Sequence, residues 1–96
     1  MEREEITRIL AAHRKELEAL GVRSLALFGS VVRGEAKSGS DVDILVEFSK
    51  PVGLFAFLEV KEHLERLLGR RVDLVTRNAL HPRLRDSILK EAVHAG

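Results

Sequence analysis

The stretch from Leu25 to Phe48 constrains the fold of this 96-residue chain more than any other. Its sequence is LALFGSVVRGEAKSGSDVDILVEF. One apolar run ends at Gly29, a short amphipathic segment and a polar loop follow, and Asp41 and Asp43 begin a second apolar run. Short apolar runs bounded by glycine and polar residues are typical of buried strands. We therefore predict two strands that are joined through a glycine turn, a short helix and a loop.

The spacing of apolar residues predicts the remaining elements. A recurrence every three to four residues indicates a helix, and a period of two indicates a strand. The predicted elements are a helix over 3–20 closed by Gly21, a strand over 25–28, a short helix within 29–34, a loop over 35–40, a strand from residue 42, a helix over 54–68 ending at Gly69, a strand over 71–76, and a last helix from about Pro82 with Asn78 as candidate cap. The residues expected to face inward include His13, Phe57, Val60, Leu64, Leu67, Leu84, Ile88 and Val93.

Strands that alternate with helices predict an α/β (α+β) fold, in which helices pack against a small mixed sheet of three or four strands. The length suits one domain over residues 1–96. No apolar run reaches the roughly 18–20 residues that span a bilayer, and the charged N-terminus does not resemble a signal peptide. These observations predict a cytoplasmic protein without a membrane partner.

Composition excludes several classes of function. Sixteen basic and fifteen acidic residues give a net charge of +1, so the chain has no strong field to attract nucleic acid. The aromatic residues are four Phe, with no Tyr or Trp to stack on bases. The absence of cysteine rules out disulfides, thiolate catalysis and zinc–thiolate sites. We therefore expect no direct nucleic-acid binding.

Three aspartates are candidate metal ligands. Asp41 and Asp43 are separated by one residue of a predicted strand, so their side chains are expected on the same face. Two such charges repel unless a divalent cation lies between them, and oxygen ligands suit Mg²⁺. Asp73 lies early in the next predicted strand and would complete a site for two metal ions if the strands are neighbours. The alternative is that all three are ordinary solvated aspartates.

The turn after the first strand is a candidate phosphate site. Gly29 allows backbone N–H groups to face an anion, Ser30 adds a hydroxyl donor, and Arg33 lies one helical turn further on. Gly34 is suited to end the short helix. On its own this pattern also fits any tight turn that Arg33 merely covers.

Taken together, these residues resemble a known family. Gly29-Ser30, Arg33-Gly34 and Ser40-Asp41-x-Asp43 on an apolar strand look like the signature of the DNA polymerase β-type nucleotidyltransferases, and the small size resembles the minimal nucleotidyltransferases (MNT proteins). The resemblance implies a nucleotidyltransferase fold. It also implies that Gly29, Ser30 and Arg33 bind the nucleotide, that Asp41, Asp43 and Asp73 are catalytic and hold one or two Mg²⁺ ions, and that Asp73 helps to deprotonate the acceptor hydroxyl.

The resemblance further implies a reaction and a partner. MNT proteins transfer NMP, most often AMP from ATP, to a hydroxyl and release pyrophosphate; they are commonly paired with HEPN-domain toxins, for which they act as antitoxins. Such a small chain has little room to hold an acceptor, which favours a hydroxyl supplied by a partner protein. Two alternatives stay open: an antitoxin that acts by complex formation without catalysis, and a plain structural subunit. The sequence leaves the acceptor, the nucleotide base and the oligomeric state undetermined.

Overall fold

The computed structural model describes residues 3–35 and 40–95. Its elements, in chain order, are helix α1 (Arg3–Ala12), helix α2 (Arg14–Ala19), strand β1 (Val22–Phe28), helix α3 (Ser30–Arg33), strand β2 (Val42–Phe48), helix α4 (Leu54–Leu68), strand β3 (Val72–Thr76), a short 3₁₀ helix (Arg77–Ala79), helix α5 (Pro82–Glu91) and strand β4 (Val93–Ala95). Most of the predicted loop over 35–40 lies outside the described residues. Within the ranges described, no helix is long and apolar enough to cross a membrane.

The four strands form one mixed sheet in the order β3-β2-β1-β4. β1 pairs antiparallel with both β2 and β4, whereas β2 and β3 are parallel. A parallel pair needs a crossover connection, and α4 provides it. The predicted mixed sheet with helices packed against it is thus confirmed, with four strands.

The core lies on one face of this sheet. Alternate residues of the strands, such as Leu27 and Ile44, point to that face and pack with Ile6 of α1 and Leu64 of α4. All four of these side chains are fully buried. The side chains in between point to the opposite face, which carries Asp43 of the candidate site.

The first predicted helix is wrong in one respect, because it breaks at His13. There the backbone leaves the helical conformation (φ −110°, ψ 19°), and α2 begins at the next residue. The His13 ring is half-buried and lies 3.2 Å from a carboxylate oxygen of Glu16, whose other oxygen lies 3.0 Å from His63 of α4. His13 therefore takes part in a polar contact at the break and does not belong to the apolar cluster of the core.

β1 starts three residues earlier than predicted. Val22 and Leu25 both belong to the core, although a spacing of three residues does not fit a regular strand. An irregularity in the pairing between Val22 and Ser24 brings both side chains to the same face. The alternation on which the prediction relied fails at this position.

The C-terminal predictions also need correction. His81 caps α5, since its Nδ1 accepts a hydrogen bond from the Arg83 N–H at 3.2 Å, whereas Asn78 lies in the 3₁₀ helix. Leu84 was expected to face inward but is 58% exposed. Val93 is not helical and pairs with Leu27 as part of β4. In α4, Leu68 is buried in the core and the predicted Leu67 is only half-buried.

Candidate active site

The glycine turn after β1 has the backbone conformation that the sequence suggested. Gly29 adopts φ 74° and ψ −149°, a region essentially restricted to glycine, and its carbonyl accepts hydrogen bonds from the N–H groups of Val32 and Arg33. These bonds start α3, and Gly34 ends it in the left-handed conformation. Ser30, half-buried, is the first residue of this helix. The turn therefore lies at the end of β1, beside β2.

Two of the three candidate carboxylates come together across neighbouring strands. Asp43 of β2 is the pairing partner of Phe28 on one side and of Asp73 in β3 on the other. A β-carbon added to Gly29 would lie only 2.1 Å from Oδ2 of Asp43, so this carboxylate packs directly against the glycine turn. Asp41 is exposed and lies just before β2 begins.

The electrostatics of Asp43 reflect this crowding. Partial burial raises the pKa of the Asp43 carboxyl above its ordinary value, and the negative charges of Asp73 and Asp41 raise it further. The carboxyl of Asp73, within hydrogen-bonding reach, acts in the same direction, and the positive charge of Arg33 opposes it weakly. Ionised Asp43 is thus destabilised in the free protein, and a cation placed among these groups would relieve the repulsion.

The donor set fits a magnesium ion that is shared with a ligand. In residues 3–35 and 40–95, no three His, Asp or Glu side chains form a ready-made metal cage. Mg²⁺, however, is usually held by one or two carboxylates together with water and substrate phosphates. Asp43 and Asp73 supply that pair, with Asp41 close enough to act on Asp43 through its charge.

A neighbouring segment holds the strand that leads into the site. The guanidinium of Arg70 donates a hydrogen bond to the carbonyl of Ser40, and the Val42 N–H donates to the Arg71 carbonyl at 2.9 Å. Both contacts tie the residues around Asp41 to the start of β3.

Sequence reasoning missed one acidic residue at the site, Glu91 at the end of α5. Its Oε2 accepts a hydrogen bond from the backbone N–H of Gly29 at 3.4 Å, and its Oε1 lies 2.7 Å from Nη1 of Arg33. Arg33 also contacts Glu35, at 3.3 Å. The hydrogen bond that Arg33 donates to Glu91, followed by the one that it donates to Glu35, raises the pKa of Arg33, which stays positively charged. Two of the predicted nucleotide-binding residues, Gly29 and Arg33, thus contact a carboxylate that no local pattern indicated.

The repulsion at Asp43 makes a testable prediction about stability. With EDTA present, Asp43→Asn is expected to raise the free energy of unfolding by about 0.5–1 kcal/mol, and the melting temperature by about 2–8 °C, because it removes one of two like charges on neighbouring strands. Glu47→Gln, on the same strand but beside Arg23, is the matched control and should give no gain. An Asp43→Asn variant no more stable than the wild type would contradict the prediction.

The same effect has a defined pH dependence. The folded state raises the pKa of the Asp43 carboxyl, so the protonated carboxyl is favoured by folding. The stabilisation from protonated Asp43 is fully present below the ordinary aspartate pKa and is lost as the pH rises through the folded-state pKa. The advantage of Asp43→Asn over the wild type should therefore be largest at neutral pH and shrink on acidification. Thermal melts of both proteins across this pH range measure the difference.

Comparison with known proteins identifies the class to which this fold and site belong. A solved structure of a provisionally assigned minimal nucleotidyltransferase superimposes with a TM-score of 0.82 and 40% sequence identity, covering 97% of this chain and 95% of the other. A chain from the complex of a tri-AMPylated HEPN toxin with an MNT antitoxin from Shewanella oneidensis has the same fold, with a TM-score of 0.58, 20% identity and coverage of 88% and 69%. The fold is that of the nucleotidyltransferases.

The sequence comparisons place the chain within a family. The model of the family described as nucleotidyltransferase domain matches residues 10–94. The protein adenylyltransferase MntA of Thermococcus cleftensis is 53% identical over 92 residues, which cover 95% of this chain and 93% of that protein. The chain therefore belongs to the nucleotidyltransferase domain family and is a nucleotidyltransferase. The family resemblance, the fold class and the enzyme class that the sequence predicted are confirmed.

Proposed function

We propose that this protein transfers AMP from ATP to a hydroxyl group of a partner protein and releases pyrophosphate. The observation that carries the proposal is the placement of Asp43 beside Asp73 on β2 and β3, with the Asp43 carboxylate packed directly against the Gly29 turn. This geometry supports the proposal, because it brings a pair of carboxylates, the ligands that Mg²⁺ prefers, close to the backbone N–H groups of a glycine turn. The 53% identity to a protein adenylyltransferase supports the choice of AMP as the group transferred.

Each site residue has a distinct proposed role. The N–H groups at Gly29 and Ser30, together with the Ser30 hydroxyl, bind the outer phosphates, because a glycine turn directs several donors toward one anion. The guanidinium of Arg33 adds positive charge on the same side. Asp41 and Asp43 would hold the metal ion that binds the triphosphate, and Asp73 accepts the proton of the incoming hydroxyl.

The proposed cofactor is Mg²⁺, as one or two ions. Asp41, Asp43 and Asp73 would hold it, and when bound it would neutralise phosphate charge and lower the pKa of the attacking hydroxyl. The hydroxyl oxygen forms a bond to the α-phosphorus, and the bond from that phosphorus to the oxygen that bridges to the β-phosphorus breaks. The electron pair of the broken bond leaves with pyrophosphate, while Asp73 takes the hydroxyl proton. Positioning and charge stabilisation supply most of the acceleration in such reactions.

The acceptor that we propose is a HEPN-type toxin, which would make this protein the antitoxin of the pair. One solved structure of the same fold is a complex of a tri-AMPylated HEPN toxin from Shewanella oneidensis with an MNT antitoxin. Asp43 lies on the sheet face opposite the core that packs against α1 and α4. Asp41 and Asp73 are exposed, so another protein can approach these carboxylates. We also propose that the 96 residues act as one domain and that the protein works in the cytoplasm.

A labelling experiment tests the proposal. ATP labelled on the α-phosphate is incubated with Mg²⁺, the protein and an extract of its host cell, in parallel with Asp41→Ala/Asp43→Ala. We expect label on a protein only with the intact site, because both carboxylates are needed to position the triphosphate. Label of equal intensity with the double variant, or no labelled macromolecule with either protein, would refute transfer by this site.

A further inference from the structure

The pairing of β4 with β1 brings Glu91 to the glycine turn. β1 and β4 pair antiparallel as far as Leu27 and Val93; Gly29 follows Leu27 by two residues and Glu91, the last residue of α5, precedes Val93 by two, so the pairing brings the two close together. The side chain bridges the turn, with Oε2 3.4 Å from the Gly29 nitrogen and Oε1 2.7 Å from Nη1 of Arg33. The position of this carboxylate is therefore set by the sheet as well as by its own ion pair.

The groups that Glu91 contacts are those to which a triphosphate would bind. A backbone N–H at a glycine turn and a guanidinium are both donors that prefer anionic oxygens. A carboxylate resembles one face of a phosphate, since it presents two anionic oxygens to such donors. The Glu91 side chain is only 22% exposed, compared with 49% for Arg33, so Glu91 lies in the turn while Arg33 reaches it from the solvent side.

We propose that Glu91 is an internal competitor for the nucleotide, which occupies the phosphate position of the turn until ATP displaces it. This inference rests on the proposed function, because it takes Gly29 and Arg33 as phosphate ligands. Glu91 opposes ATP in two ways: its contacts with the turn must break before phosphate can bind, and its negative charge repels the incoming triphosphate. Displacement requires only a rotation of the side chain, with β4 left in place.

A purely structural role for Glu91 makes the opposite prediction. If this carboxylate served to hold Arg33 ready for phosphate, its removal would weaken binding, since Arg33 would lose its orientation. If Glu91 competes, its removal must strengthen binding, most of all for ligands that are mainly phosphate. The sign of the change in affinity therefore distinguishes competition from positioning.

The test compares wild type, Glu91→Gln and Asp86→Asn by isothermal titration with ATP and Mg²⁺. Asp86→Asn is the matched control, because it removes one negative charge from the same helix about 7.5 Å along its axis from Glu91. We expect Glu91→Gln to lower the Kd for ATP by about three- to tenfold, which corresponds to the net contribution of one ordinary hydrogen bond. Asp86→Asn should change the Kd by less than about twofold. Glu91→Ala, which cannot keep a neutral hydrogen bond to Arg33, should show at least the same gain.

Two further ligands locate the effect within the nucleotide. Inorganic tripolyphosphate should bind more tightly to Glu91→Gln by a similar factor, and adenosine should bind equally to both proteins. If wild type binds ATP and the Glu91 variants bind it equally or more weakly, the competition is refuted while the proposed function stands. If neither wild type nor Glu91→Gln binds ATP, the proposed function and the inference fall together. Binding by the variant alone would support the competition strongly.

Discussion

Asp43→Asn is expected to lower the rate of AMP transfer by about 10³-fold or more. The amide keeps the size of the carboxylate but loses the charge that lies between Asp73 and the glycine turn, and contributions of this kind from a metal ligand amount to several kcal/mol of transition-state stabilisation. The measurement is a single-turnover assay with ATP labelled on the α-phosphate and a saturating amount of acceptor. The variant is expected to remain folded, since the same substitution relieves repulsion in the free protein.

The control for this variant lies on the same strand. Glu47→Gln also removes a carboxylate from β2, but Glu47 is 3.9 Å from Arg23 and four residues from Asp43. Its rate is expected to stay within about twofold of the wild type. If Asp43→Asn retained a rate similar to that of Glu47→Gln, the carboxylates on β2 and β3 would not be the catalytic centre.

Gly29→Ala has the second large expected effect. It should lower the free energy of unfolding by about 3 kcal/mol and the rate of AMP transfer by about 10²-fold. The new methyl group would lie 2.1 Å from Oδ2 and 3.2 Å from the β-carbon of Asp43, so rotating the carboxylate alone cannot relieve the clash. The backbone conformation adds strain, because φ 74° and ψ −149° suit glycine alone. A displacement of Asp43 of about 1 Å is enough to lower the rate this much.

Gly34→Ala distinguishes the clash with Asp43 from the backbone strain at positive φ. Gly34 has nearly the same φ, 72°, but nothing lies within 4 Å of the position that its β-carbon would take. We expect this variant to lose about 1 kcal/mol through backbone strain and to retain most of its transfer activity. Chemical denaturation and the single-turnover assay measure both quantities. Equal losses in the two variants would mean that the close approach of Gly29 to Asp43 is unimportant.

The fold and most of the site could be predicted because their determinants are local in the sequence. The apolar alternation of β2 fixes Ile44 inward and Asp43 outward, and glycine after a strand indicated the turn at Gly29. The proximity of Asp73 followed once its strand was assumed to neighbour β2. The pairing of β2 and β3 confirms that assumption and supplies the register, Asp43 opposite Asp73.

What the sequence did not reveal depends on pairing between distant residues. β4 has three residues, too few to show alternation, and it follows α5 after a single residue, so Val93 looked helical. Glu91 reaches Gly29, 62 residues earlier in the chain, because β4 pairs with β1. No sequence motif includes Glu91. The break at His13 similarly accompanies a contact from Glu16 to His63 on another helix.

The most direct test is the intact mass of the proposed HEPN-type partner after co-expression with this protein. We expect the partner isolated with the wild type to be heavier by one or more adenylyl groups, each AMP less one water, and the partner isolated with Asp43→Asn to have its unmodified mass. Growth of the same cells reports whether the toxin is neutralised. An unmodified toxin that the wild type and Asp43→Asn neutralise equally would refute AMP transfer by this site and identify an antitoxin that acts by complex formation alone.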